Sequence, residues 1–248
     1  MKKKNKRLKI GGIIFLALFL GAAYLFVNYY GKIFSVNTSI NKSDPYIYVS
    51  TGSSLDGLVD QLEQQKILID KKSFLWVANQ KSFNTPKPGK YKLRDGMNNN
   101  ELINLLRSGQ QEPVKLTFNT IRTPKDLAGK VGKQLEADSI EILRMLTDKA
   151  LADKYGFNEK TFMTLFIPNT YEVYWNTSAE DFVKRMAREY KAFWTDQRKS
   201  QSKTLNLTQS EVSILASIVQ AEQSEHRDER PKVAGLYINR IKKSMKLQ

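Results

Sequence analysis

Apolar and polar positions alternate differently along the chain, and the changes of pattern mark its elements. Ile10–Val27 is uncharged and almost wholly apolar for 18 residues, with Tyr24, Tyr29 and Tyr30 towards its far end. Such a run is about long enough to cross a bilayer as a helix, with aromatics at the interface. Residues 32–45 are polar and read as a tether. YIYVS (Tyr46–Ser50) then alternates like a strand, and Ser53-x-x-Asp56 resembles a capping box opening a helix through Leu58, Val59 and Leu62. KPGKYKL (Lys87–Leu93) reads as a turn and strand. Asn98-x-x-Glu101 follows and opens a helix through Leu102, Leu105 and Leu106, which Gly109 stops. VKLTF (Val114–Phe118) is a third strand, and Thr123-x-x-Asp126 opens a helix through Leu127, Val131 and Leu135. From about residue 138 the pattern is largely helical. FIPNTYEVYW (Phe166–Trp175) interrupts it as an aromatic-rich loop with Pro168 and Asn169 as breakers, and Thr208-x-x-Glu211 starts a last helix. Strands followed by capped helices predict an α+β chain, with a small module near 46–118 and a mixed, largely helical domain after it.

The last helix contains an anomaly. Val212, Leu215, Ile218 and Val219 share one apolar arc with Ala216 and Ala221, and Glu222 falls near its middle. A carboxylate aimed at a core costs several kcal/mol unless it is paired or protonated. One reading pairs it with Arg227, Arg230 or Arg240, or lets it reach the surface. The other keeps a desolvated carboxyl protonated near neutral pH, ready to protonate a glycosidic oxygen as the sugar–oxygen bond breaks. Glycosidases ordinarily need a second carboxylate, and none is clearly paired with Glu222 in the sequence. One suffices where the substrate supplies its own nucleophile, as N-acetylmuramic acid can through its C6 hydroxyl.

Composition narrows the alternatives. The 248 residues contain no cysteine and one histidine, His226. Disulfides, thiolate sites and histidine-rich metal sites are excluded, and a Ser–His–Asp triad would rest on His226 without a GxSxG elbow. S-x-x-K occurs at Ser39–Lys42 and Ser200–Lys203, in linker-like sequence and without the other penicillin-binding motifs. Of the net +15, six positives lie in the first nine residues, which carry no acid. Ahead of an apolar span this cluster holds the N-terminus in the cytoplasm and places residues from about Lys32 outside. A nucleic-acid role is thereby excluded. A cleaved signal peptide is the competing reading, but Ala22 and Ala23 run on into YLFVNYY rather than a cleavage site.

ASIVQAEQSEHRDERPKVAGLYINRIKKSMKLQ (Ala216–Gln248) closely resembles the catalytic motif of the MltG (YceG-like) endolytic murein transglycosylases: a helix with a glutamate, then Val-Ala, Asn-Arg and Met-x-Leu-Gln. FIPNTYEVYW resembles the family's Phe-x-Pro-x-Thr-Tyr segment, and KPGKY the Gly-x-Tyr of its LysM-like subdomain. The resemblance implies a cytoplasmic tip (1–9), a transmembrane helix (10–30), a tether (31–45), a LysM-like module (46–118) and a catalytic domain (119–248). It places the catalytic glutamate at Glu222, with Tyr171, Asn239 and Gln248 as groups that orient sugar or glutamate. It also implies cleavage of peptidoglycan glycan strands without cofactor or metal, at the outer face of the cell (inner) membrane, near peptidoglycan synthases (penicillin-binding proteins). The alternative is a catalytically silent, anchored scaffold that binds peptidoglycan. The chain departs from the family pattern in two places. Gln220 stands where an acid is frequent, and the family's continuation beyond Leu-Gln is absent, so the catalytic domain is expected to be incomplete.

Overall fold

The computed structural model describes residues 2–41 and 43–246. It is a mixed α+β structure with two compact units, one comprising residues 1–114 with 174–176, the other 115–173 with 177–248.

The first unit begins with α1 (Lys2–Phe34), within which Ile13–Phe34 is long and apolar enough to cross a membrane. β1 (Tyr46–Val49), α2 (Leu55–Gln64), α3 (Lys71–Gln80), β2 (Gly89–Lys92) and α4 (Asn99–Ser108) follow. β1 and β2 pair antiparallel with Ile47 opposite Tyr91. The inward residues Ile47, Val49 and Tyr91 meet Leu58, Leu62, Phe74, Val77, Leu102 and Leu106 from the three short helices in one core. Two sequence-read helices start as expected or nearly so. Asn98 and Glu101 form the reciprocal cap of α4, whereas α2 is capped by Ser54 rather than Ser53. α4 ends at Gly109, whose φ of 75° is the left-handed value that a residue without Cβ adopts at no cost. The pattern reading assigns no element to 71–80, but Asp70 caps the amides of Lys72 and Ser73 and starts α3 there.

Two of the polar residues after α1, Asn37 and Thr38, are buried. Asn37 is 2% exposed, donates to Asn99 Oδ1 (2.6 Å) and the Asp70 carbonyl (2.9 Å), and accepts from the Asp70 amide (2.6 Å). Asn99 in turn donates to the Lys32 carbonyl at the end of α1 and to Ser73 Oγ. Buried amides are stable only when so satisfied, and here their partners fasten α1 to α3 and α4. Tyr29 adds an edge-on contact to Trp76, 4.8 Å between ring centroids.

The second unit contains β3 (Val114–Phe118, which starts at the end of the first unit), α5 (Pro124–Gly132), α6 (Ser139–Leu146), α7 (Lys149–Lys154), β4 (Asn169–Val173), α8 (Ala179–Phe193), α9 (Asp196–Thr204), α10 (Gln209–Glu222) and α11 (Arg230–Lys242). Half of the expected aromatic loop is therefore a strand. β4 pairs with β3 and buries Tyr171 and Val173 on alternate positions. Its core is largely aromatic: Phe118 lies against Tyr171 and Phe182, and Phe166 stacks on Phe182. α10 and α11 make a smaller cluster of their own, Leu215, Val219 and Tyr237.

Candidate active site

α10 begins with the expected reciprocal cap between Thr208 and Glu211 and ends at Glu222. Its apolar arc is covered through Leu215 and Val219 by Val233, Ala234, Tyr237 and Ile238 of α11. Glu222 lies on that arc by helical geometry, but one turn beyond Val219, where cover by α11 has stopped. It is exposed, not buried against an apolar wall. The burial expected from periodicity fails because an arc buries a residue only where a partner element lies over it.

The bland alternative, a paired glutamate, is not adopted by Arg230. Arg230 Nε donates to the carbonyl of Gln223 (2.9 Å) and its Nη2 to that of Ser224 (3.1 Å), closing the C-terminal end of α10. Gln223 Nε2 donates to Glu229 (2.6 Å), and the His226 amide donates to Gln223 Oε1 (3.1 Å). The bend that follows Glu222 is therefore tied to itself, and the carboxylate stands at the end of a helix held at both termini. An open hollow of about 520 Å³ lies between α10 and α11, with Val219, Arg227 and Arg230 among its walls.

The other face of α10 lines a second cavity of about 340 Å³. Ser213, Ser217 and Gln220 form its polar side, the Phe166–Pro168 turn lies opposite, and Arg122 and Lys160 are further walls. Hydroxyls, an amide and two cations can bind polyhydroxylated or acidic ligands. Gln220 and Glu222 are two residues apart and so project from opposite faces of the helix. Sequence reading overlooked this groove, although polar residues at 213, 217 and 220 repeat at helical spacing and carried the signal.

Tyr171 is 4% exposed, its ring packs on Phe118 (5.5 Å), and its hydroxyl donates to the Ile167 carbonyl at 2.5 Å. It holds the turn that walls the second cavity. Burial, reinforced by the charge of Glu189, pushes its hydroxyl up to about 12. Asn239 is exposed on the side of α11 turned from α10, and Gln248 lies outside the described residues. The structure thus does not gather Tyr171 and Asn239 around Glu222. Among the described residues no cluster of three or more His, Asp or Glu is placed to hold a metal ion.

Comparison with known proteins now bears on this helix and its neighbours. The YceG-like family model matches residues 47–248. This chain belongs to the YceG-like family. It is 24% identical over 248 residues to the endolytic murein transglycosylase of Bacillus subtilis, covering 93% of this chain and 67% of that protein. To the protein of the same name from Streptococcus pneumoniae strain D39 it is 24% identical over 275 residues, covering 98% and 48%. The chain therefore spans from about half to two-thirds of these YceG-like relatives. A solved structure of a YceG-like protein from Listeria monocytogenes is also similar, with a TM-score of 0.48 and 19% identity over 82% of this chain and 72% of that one.

Proposed function

We propose that this chain is a membrane-anchored endolytic lytic transglycosylase that cleaves the β-1,4 bond between N-acetylmuramic acid and N-acetylglucosamine in nascent glycan strands. The observation that carries the reading is Glu222: an exposed carboxylate at the end of a helix closed at both termini, inside the segment matched by the family. As an acid, it protonates the glycosidic oxygen while the C6 hydroxyl of the muramic sugar attacks C1. As a base, it takes the C6 proton, and the product carries a 1,6-anhydro ring. Water is not consumed, so one carboxylate serves both steps. The desolvation that favours such an acid would come from the glycan lying over the exposed carboxyl, since the fold leaves it uncovered.

In this reading Tyr171 is a positioning residue acting through the Ile167 turn. Asn239 and Gln248 lie on the Asn-Arg and Leu-Gln parts of the family motif and are proposed to orient sugar or glutamate. Residues 46–118 are proposed to be a LysM-like peptidoglycan-binding module, and α1 an uncleaved anchor with its basic end in the cytoplasm. Termination of strand growth beside peptidoglycan synthases follows as the role.

Glu222→Gln tests the chemistry, because the amide keeps size and polarity but cannot cycle a proton. Release of anhydro-muropeptides from sacculi should fall by at least about 100-fold, the low end of general acid–base contributions, with unchanged circular dichroism. Near-normal release would remove Glu222 from the mechanism. Sacculus binding without anhydro ends in either form would favour the silent scaffold.

A further inference from the structure

The outer end of α1 offers an interaction surface that the chemistry above does not use. Counted from Ile10, directly after the last lysine of the basic tip, about 20 helical residues at 1.5 Å each cover the roughly 30 Å of hydrocarbon in a bilayer and end at Tyr29. Trp76 of α3 meets Tyr29 edge to face, 4.8 Å between ring centroids, and Lys32 Nζ lies 5.1 Å from the centre of the Trp76 ring. Farther along, Asn37 Nδ2 donates to Ser73 Oγ at 3.4 Å and to the Asp70 carbonyl. α3 therefore runs back along α1, with Asp70 at its outer end and Trp76 level with the edge of the hydrocarbon.

The fold fixes this depth. Tyr29, Lys32 and Ile33 stand three and four residues apart and share one face of α1. Ile33 packs against the core of the first unit, and Asn99 donates to the Lys32 carbonyl. The unit cannot pivot away from the span without breaking these contacts. The headgroup layer is about 5–8 Å deep on each side of the hydrocarbon, so a unit attached at Tyr29 has to meet it. Its surface there suits that layer. Trp76 is only partly buried, with exposed Lys72 one turn before it on α3 and exposed Gln80 one turn after. On α1 the rings of Phe26, Tyr30 and Phe34 form an exposed stripe that continues past Tyr29. Tryptophan and tyrosine concentrate at this depth, where the ring is apolar and its polar edge stays wet. Lysines beside them keep their stems on apolar surface and their charge in the headgroups.

We propose that α3 seats the first unit on the lipid surface, with the Trp76 ring in the headgroup layer and the ammonium groups of Lys32 and Lys72 against lipid phosphates. The inference rests on α1 being an uncleaved anchor. The first unit is then confined to the layer next to the membrane rather than free to swing away from it.

The full chain is reconstituted in vesicles of phosphatidylcholine and phosphatidylglycerol that carry a nitroxide either at the headgroup or deep in the acyl chain. Trp175→Phe combined with Trp194→Phe leaves Trp76 as the one tryptophan of the chain. Its emission should be quenched at least about twofold more by the headgroup nitroxide than by the deep one, as for an interfacial ring, and little by aqueous iodide. If loss of the buried Trp194 ring prevents folding, wild type against Trp76→Phe gives the same reading, since the variant should lose most of the headgroup quenching. Stronger quenching by iodide than by either lipid would place the unit clear of the bilayer and overturn the seating. Stronger quenching by the deep nitroxide would overturn the headgroup position. Emission that no quencher reaches would show that another protein segment covers the ring, and would overturn it too. N-terminal sequencing of the chain as extracted from membranes separates these failures from that of the anchor. A retained lysine-rich N-terminus with Trp76 unquenched removes the seating alone; a product cut downstream of Ala23 removes the anchor and the seating with it.

Discussion

At Tyr171 a phenol that a linear reading would set against a sugar is instead spent inside the fold. Its hydroxyl donates to the Ile167 carbonyl, and burial raises its proton affinity to about 12 from an ordinary 10.0. Because the folded value lies above the unfolded one, the stability it brings is complete below pH 10 and is lost as pH rises from there towards 12. Tyr171→Phe should therefore destabilise at neutral pH by about 1 kcal/mol, the usual net worth of one such bond. The gap between variant and wild type should narrow above pH 10. Urea unfolding at pH 7 and pH 11 measures both, and a gap constant with pH would show that the hydroxyl titrates as it does in the unfolded chain. The environment of this residue was illegible in the sequence: F-I-P-N-T-Y names the turn, but burial depends on Phe118, which lies 53 residues earlier.

Helix boundaries, by contrast, depend on residues three apart and were largely readable. The caps at Asn98, Thr123 and Thr208 form as their spacing indicates. α3 carried an equally local signal, Asp70 ahead of Phe74, Val77 and Ala78, which the pattern reading passed over. How elements approach one another left no such trace. α5 meets α6 at Gly132, where an added Cβ would lie 2.6 Å from the Ser139 amide nitrogen and 2.9 Å from its Cα. Backbone cannot swing aside as a side chain can. Gly132→Ala should thus destabilise by about 1–3 kcal/mol, measured as a lowered unfolding midpoint. Gly129→Ala, one turn earlier in the same helix and facing open space, should be neutral or raise stability by up to about 1 kcal/mol through helix propensity. Equal effects at the two positions would mean that close approach at Gly132 is relieved by a shift of α6.

For the molecule as a whole, α1 is the element long and apolar enough to cross a membrane. Fastened to α3 and α4 through Asn37 and Asn99, its C-terminal end is continuous with the first unit. If it is an uncleaved anchor, membranes washed at alkaline pH should retain the chain with its lysine-rich N-terminus, as read by N-terminal sequencing. A soluble product beginning downstream of Ala23 would replace the anchor with a signal peptide. Family membership, the apolar span and most caps are written in short runs of residues, because each depends on groups within a few positions along the backbone. What the chain alone could not decide is which residues find cover. The apolar arc of α10 predicted a buried Glu222, yet α11 reaches only as far as Val219. A cavity at Trp194 joins one face of α8 to residues as far apart in the chain as Tyr155 and Gln209. Burial is a property of the surfaces that meet, and those meetings arise only when distant segments pack.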